Sequence, residues 1–228
     1  MASQVKQIGK TISHGQALTL GKRFLLVILI WCIQMIYIPT SNRIIGGIEP
    51  KLPIDIFPVW AVWVLPYVLC LPLWFIGIVW AIFKMEDHLF RSLIAAFLLT
   101  CTVSISIFIF FPTYVKPAIF HANDIFTEVL RFIHKNEGRY DAFPSGHVYI
   151  TVLLALFYNQ WYPRYKIYWV LILMIVSFST LFTHQHYIAD IAGGMVVALL
   201  GFHFGSRWAG FPIFRNRAAK TRLLLPPS

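Results

Sequence analysis

The chain has 228 residues, 58% hydrophobic and 17% aromatic, with 12% charged, about half the charged share of soluble domains. That balance excludes an ordinary water-soluble globule. A formal net charge of +10 would suit a nucleic-acid binder in a soluble chain, so where the charges fall along the chain decides their meaning.

Apolar runs cover 24–38, 57–83, 89–111, 148–161, 167–182 and 191–206, most of them near the ~20 residues that cross a bilayer as a helix. The first is short enough for the core of a signal peptide. No small-residue cleavage site follows it at 38–43, and further runs come after, so it is read as a retained span. Pro66 and Pro72 interrupt the second run, where neighbouring helices tolerate a kink. Cys32, Cys70 and Cys101 lie inside apolar runs without paired spacing, as small core residues rather than a disulfide or zinc framework. Between the third and fourth runs, 112–146 is the longest polar excursion. Within it, Thr127 to Lys135 mixes Val129, Leu130, Phe132 and Ile133 with charges, as in a short helix lying on a membrane surface. Asn136-Glu137-Gly138 marks its end. The pair Gly193-Gly194 in the last run favours close helix packing.

These runs predict an all-α fold, a six-span transmembrane helical bundle with both termini on one side. Of the 19 Lys and Arg residues, 13 fall on that side, which the positive-inside rule makes cytoplasmic. The expected division is a cytoplasmic N-terminal segment at 1–23, one membrane domain at 24–206 and a basic cytoplasmic tail at 207–228. The charge excess is thereby a topology signal and no nucleic-acid partner is expected; homo-oligomerisation stays open.

Two clusters carry chemistry, and both fall on the non-cytoplasmic face. In the first, Ala142-Phe143-Pro144-Ser145-Gly146-His147 opens the fourth span. Pro and Ser before an apolar helix form a start signal, and free N–H groups at a helix N-terminus suit a phosphate; a capped helix with an interfacial histidine fits as well. In the second, between spans five and six, His186 and Asp190 are four apart. One face of a helix would then hold imidazole and carboxylate together, as when a carboxylate orients a nucleophilic histidine; an Asp190 that only caps the sixth helix is the plainer alternative. His184, His186 and Asp190 offer mixed nitrogen and oxygen ligands for a metal, but the spacing asks for an extended backbone and a helix at once.

Together, Pro144-Ser145-Gly146-His147 and His186 with Asp190, in this order and on one predicted face, resemble the second and third signature motifs of the type 2 phosphatidic acid phosphatase superfamily. The segments Leu52-Pro53-Ile54-Asp55-Ile56-Phe57-Pro58 with Tyr67, and Ser179-Thr180 to Gln185-His186-Tyr187, are most similar to the branch containing sphingomyelin and inositol phosphorylceramide synthases. The first motif, a lysine seven positions before Arg-Pro, is missing; Lys116-Pro117 is the nearest candidate, with Ile109 where that lysine would stand. In the third motif the usual Ser-Arg is Ser179-Thr180.

The resemblance implies a metal-independent lipid phosphate phosphatase, with a lipid in the bilayer as substrate and no cofactor. His186 would attack phosphorus and form a phosphohistidine, Asp190 would orient it, and His147 would protonate the leaving alkoxide and later activate the acceptor. Lys116, Ser145, Gly146 and Thr180 would hold the phosphate, with Arg131, Lys135 and Arg139 on the same face as the other candidates for neutralising it. Transfer of a phospho-head group to an alcohol is the first alternative. A catalytically degenerate lipid-binding or scaffold protein is the second.

Overall fold

A computed structural model describes residues 17–43 and 46–209. Residues 1–16 and the tail from 210 onward, which hold Lys6, Lys10, Arg215, Arg217, Lys220 and Arg222, lie outside the described residues. The described chain is all-helical: α1 (Leu20–Met35), α2 (Tyr37–Arg43), α3 (Val64–Lys84), α4 (Asp87–Phe110), α5 (Ile125–Asn136), α6 (Gly146–Trp161), α7 (Lys166–Phe182) and α8 (Ile188–Trp208).

Among the described residues, five helical segments are long and apolar enough to cross a membrane: Leu20–Ser41, Ala61–Lys84, Asp87–Phe110, Pro163–Phe182 and Ile188–Trp208. The chain therefore reads as an integral membrane protein. α6, grown from the fourth apolar run, has 16 residues, roughly 24 Å at 1.5 Å per residue, which falls short of the ~30 Å hydrocarbon core. It lies in the centre of the bundle, with Val148, Tyr149, Leu153, Phe157 and Tyr158 buried and α4, α7 and α8 around it.

Helix limits follow local chemistry. α3 starts at Val64 rather than at the head of its apolar run, and Pro66 falls in its first turn, where the missing N–H has no helical acceptor to lose. Pro72 sits inside α3 without ending it. Asp124 caps α5 by accepting from the Phe126 and Thr127 N–H groups at 2.9 and 3.2 Å. Cys70 and Cys101 are buried and free as expected, but Cys32 is exposed, because α1 is the outermost helix and turns that face outward.

α8 makes the closest approach in the bundle. A Cβ on Gly205 would stand 2.5 Å from the Ala96 backbone nitrogen of α4, a contact that only a missing side chain permits. Towards the same end, where α4 begins, Arg23 of α1 is buried. Its guanidinium donates to the carbonyls of Ile82 (2.9 Å) and Ala81 (3.3 Å), pairs with Asp87, and lies 4.7 Å over the Phe90 ring.

Above the bundle, the segment around Ile48 and both ends of the 112–146 excursion are tied together at Thr113. Ile48 N–H donates to Pro112 O (2.9 Å), Tyr114 N–H to Ile48 O (3.1 Å), Ala142 N–H to Thr113 O (3.1 Å) and Phe143 N–H to Thr113 Oγ1 (2.7 Å). These isolated bridges, not strands, close the polar cap over α6 and the α7–α8 turn.

Candidate active site

α7 ends because His184 takes the left-handed conformation, φ +52°, which reverses the chain. The Thr180 carbonyl then accepts from both Gln185 N–H (3.0 Å) and His186 N–H (3.2 Å), so the turn carrying His186 is held by the last turn of α7. Beyond it α8 begins, with Asp190 Oδ2 accepting from Tyr187 N–H at 2.8 Å. Asp55 from the first excursion accepts from Ile188 N–H at 2.9 Å. Asp190 is thus a helix cap, and it is also a histidine partner: its Oδ2 stands 3.5 Å from His186 Nδ1. That exceeds the hydrogen-bond range, since the nearer bond of the same oxygen goes to Tyr187. Asp190 is completely buried and its Oδ1 has no partner.

The Pro144-Ser145-Gly146-His147 segment reaches this pair by leaning on α8. Ser145 N–H donates to the Asp190 carbonyl at 3.0 Å. At Gly194 a Cβ would meet the Ser145 carbonyl oxygen at 2.8 Å, so a bare backbone there is what admits the segment. His147 consequently faces His186, with ring centroids 6.2 Å apart and planes at 60°. Tyr67 stacks on His147 (4.1 Å, 27°) and Trp74 lies against it at 5.4 Å. Two further bonds fix that wall: Trp74 Nε1–H donates to Thr151 Oγ1 (3.1 Å), and Thr151 Oγ1–H donates to the His147 carbonyl (2.7 Å).

Both imidazoles open on a cavity of about 630 Å³. Its floor and sides include Trp31, Leu71, Trp74, Phe108, Tyr149 and Ile150, and its rim His134, Lys135, Glu137, Arg139 and Asp141. Glu137 accepts a 2.6 Å hydrogen bond from Tyr67 OH. Burial drives the Glu137 carboxyl up to about 7 even though that bond and the His186 charge pull it down. Burial likewise pushes Asp141 up to about 6, against the opposing pull of His186.

Of the residues singled out in the sequence, His147, His186, Asp190, Ser145 and Gly146 come together. Gly146 lines the cavity; Ser145 is fully buried beside it with its Oγ unpartnered. Lys116 does not line the cavity: its Nζ pairs with Glu49 at 2.8 Å, and Glu49 also accepts from Tyr187 OH at 2.7 Å. Thr180 is fully buried, its hydroxyl donating to Ser177 O (2.8 Å). Arg131 is occupied by Glu128, the Ala122 carbonyl at 2.7 Å and the Phe120 carbonyl at 3.2 Å. His184 points away from His186, with Nε2 2.7 Å from Phe57 O; among the described residues no three His, Cys, Asp or Glu side chains gather as metal ligands. Tyr67, Trp74 and Glu137 were missed as site residues, since nothing local to them in the chain points to His147.

The chain is 32% identical over 68 residues to the inositol phosphorylceramide synthase catalytic subunit of Schizosaccharomyces pombe, covering 30% of this chain and 16% of that protein. It is 34% identical over 65 residues to the inositol phosphorylceramide synthase of Candida albicans, covering 28% and 14%. The matched part is thus about a sixth of these curated relatives. No solved structure matches. The profile of the PAP2 superfamily matches residues 57–204, from the first excursion through α8 and across both histidine clusters. The chain belongs to the PAP2 superfamily of membrane lipid phosphatases and phosphotransferases.

Proposed function

We propose that the protein transfers a phospho-head group from one membrane lipid to an alcohol acceptor through a phosphohistidine on His186. The observation that carries this reading is the cavity: two facing imidazoles open on about 630 Å³, within the range of pockets that hold a drug-sized ligand and room for a head group beside its acceptor. The likeness to two inositol phosphorylceramide synthases supports transfer over hydrolysis.

Asp190 faces Nδ1 of His186, which leaves Nε2 as the attacking nitrogen. In the first step a bond forms from Nε2 to phosphorus, the phosphorus–oxygen bond to the donor lipid breaks, and His147 gives its proton to the departing alkoxide. In the second step the acceptor hydroxyl attacks phosphorus, its proton passes to His147, and Nε2 leaves. Lys135 and Arg139 are the cations at the cavity rim and neutralise the non-bridging oxygens, with the N-terminus of α6 at Gly146 adding backbone N–H groups.

In this reading α6 is the short sixth span, both termini are cytoplasmic, and the cavity faces the other side. The aromatic group Trp80, Tyr158, Trp161 and Tyr162 and the group Trp60, Trp63 and Phe182 sit at opposite ends of α3 and serve as the two interfacial belts.

Purified protein in liposomes, offered phosphatidylinositol or phosphatidylcholine with and without ceramide, tests the reaction. Diacylglycerol and a new sphingolipid should appear together and vanish in His186→Ala. Release of free phosphate from phosphatidate, with no exchanged lipid, would make the protein a hydrolase. No turnover of any of these lipids would favour the scaffold alternative.

A further inference from the structure

A second cavity continues the first. Trp31, Gln34, Trp74 and Ile150 line both. From there the second runs between α1, α3 and α4 past Ile94 and Phe97 to Phe90, with Val27 and Ile78 on its flanks and Gln34 as its one polar side chain. On α4 the stretch from Cys101 to Phe90 rises roughly 16 Å at 1.5 Å per residue. A hydrocarbon tail occupies half of a ~30 Å bilayer core, roughly 15 Å, so the path beyond the reacting residues has the length of one tail.

The two walls differ in how they are held. Trp74 on α3 is fixed by its bond to Thr151, and α4 is packed on both sides. The Leu20–Ser41 segment has 6% of its most apolar stretch buried, against 50% for α4 and for α8. Its far end is clamped by Arg23 on Asp87, Ala81 and Ile82. Near the catalytic cavity its side-chain tie to the bundle is Gln34 Oε1, accepting from Tyr149 OH at 2.8 Å. As drawn together the groove encloses about 50 Å³, room for a small part of a tail, so occupancy requires α1 to swing out from its Arg23 end.

We infer that the groove between α1, α3 and α4 is the binding site for one hydrocarbon tail of the lipid whose head group enters the catalytic cavity, with α1 as its movable wall and the Gln34–Tyr149 bond as the latch. This rests on the lipid phosphotransfer reading above and adds where the tail goes. The second tail stays in the bilayer, through the side opening beside Trp31, which is 53% exposed.

The full chain in liposomes containing phosphatidylinositol with a diazirine in one acyl chain tests it. After photolysis, adducts should map to the groove-lining Val27, Ile30 and Gln34 of α1 and Phe90, Leu93 and Phe97 of α4. Ile94→Trp on α4 and Val27→Trp on α1, two separate ways to fill the groove, should each lower those adducts at least tenfold while adducts on outward-facing Leu25 and Leu29 persist. If one variant misfolds, as judged by size-exclusion profile, the other serves. Adducts confined to outward-facing positions, or groove adducts unchanged in the folded variants, would overturn the assignment. His186→Ala should keep the adducts, because labelling needs no turnover; loss of the phosphotransfer reading and loss of the tail site are therefore read separately.

Discussion

His186 has a carboxylate 3.5 Å from one ring nitrogen, whereas the ring of His147 is held by stacking between Tyr67 and Trp74. In the proposed reaction the first is the oriented nucleophile and the second the positioned acid. His186→Ala should therefore abolish turnover on every substrate. His147→Ala should lose most on an alkyl ester and least on an activated aryl phosphate, whose leaving group departs without a proton; equal losses on both would contradict the assignment. For the phosphate cations, Arg139→Ala should lower kcat/KM by about 10- to 1,000-fold, the range for one lost transition-state donor. Lys116→Ala should cost far less, because that ammonium is spent on Glu49. The rim carboxyls set a pH dependence. Burial raises Glu137 to about 7 and Asp141 to about 6, so below about pH 6 Lys135 and Arg139 outnumber the ionised carboxylates, and above about 7 they are balanced. KM for an anionic lipid should rise through that window, and Glu137→Gln should remove the upper part of the rise. Unfolded, both carboxyls would release their protons at ordinary values of 4.5 and 3.8. Stability from these groups is thus fully present below those values and is lost as pH rises through about 6 to 7, a trend that thermal melts across pH would display.

Among the helices, Gly194 decides whether the two clusters meet. Gly194→Ala puts a methyl 2.8 Å from the Ser145 carbonyl, a backbone atom that cannot turn aside. A cost of about 1–3 kcal/mol is expected for such overpacking, with activity falling further because Ser145 to His147 must move off α8. Gly21→Ala, in open space at the start of α1, should leave both activity and melting temperature unharmed. The helices themselves were largely legible in the sequence: four of the six apolar runs became one helix within a few residues, the first divided into α1 and α2, the second became helical only from Ala61, and Pro144 and Ser145 announced the start of α6. The motif histidines and Asp190 were legible as well, through their spacing and order. Partners distant in sequence were not. Trp74 reads as one more aromatic in an apolar run until its ring lies against His147, and nothing local to Glu137 and Asp141 announces that they line the cavity. Lys116 looked like a phosphate ligand beside Pro117, and only the fold shows Glu49, 67 positions earlier, at its ammonium.

For the whole molecule, the arrangement of spans fixes which side the chemistry faces. In a background lacking Cys32, Cys70 and Cys101, a membrane-impermeant maleimide should label Gln185→Cys and Lys135→Cys from the same side, and Lys84→Cys and Lys166→Cys from the other. Gln185 and Lys135 line the cavity, whereas Lys84 and Lys166 stand at the far ends of α3 and α7. Labelling of Gln185→Cys and Lys84→Cys from one side would break the six-span reading. The Thr113 tie joins residues 48, 113 and 141, and α8 closes on α4 more than a hundred positions upstream. Both are long-range contacts, which form late and slowly during folding. A chain leaving the ribosome has α1 to α7 in the membrane before Asp190 exists, and the Ser145 backbone has nothing to lean on until Gly194 follows. On the proposed reaction, the nascent protein passes through biogenesis without a working centre, and a chain stopped before α8 would sit in the membrane chemically inert.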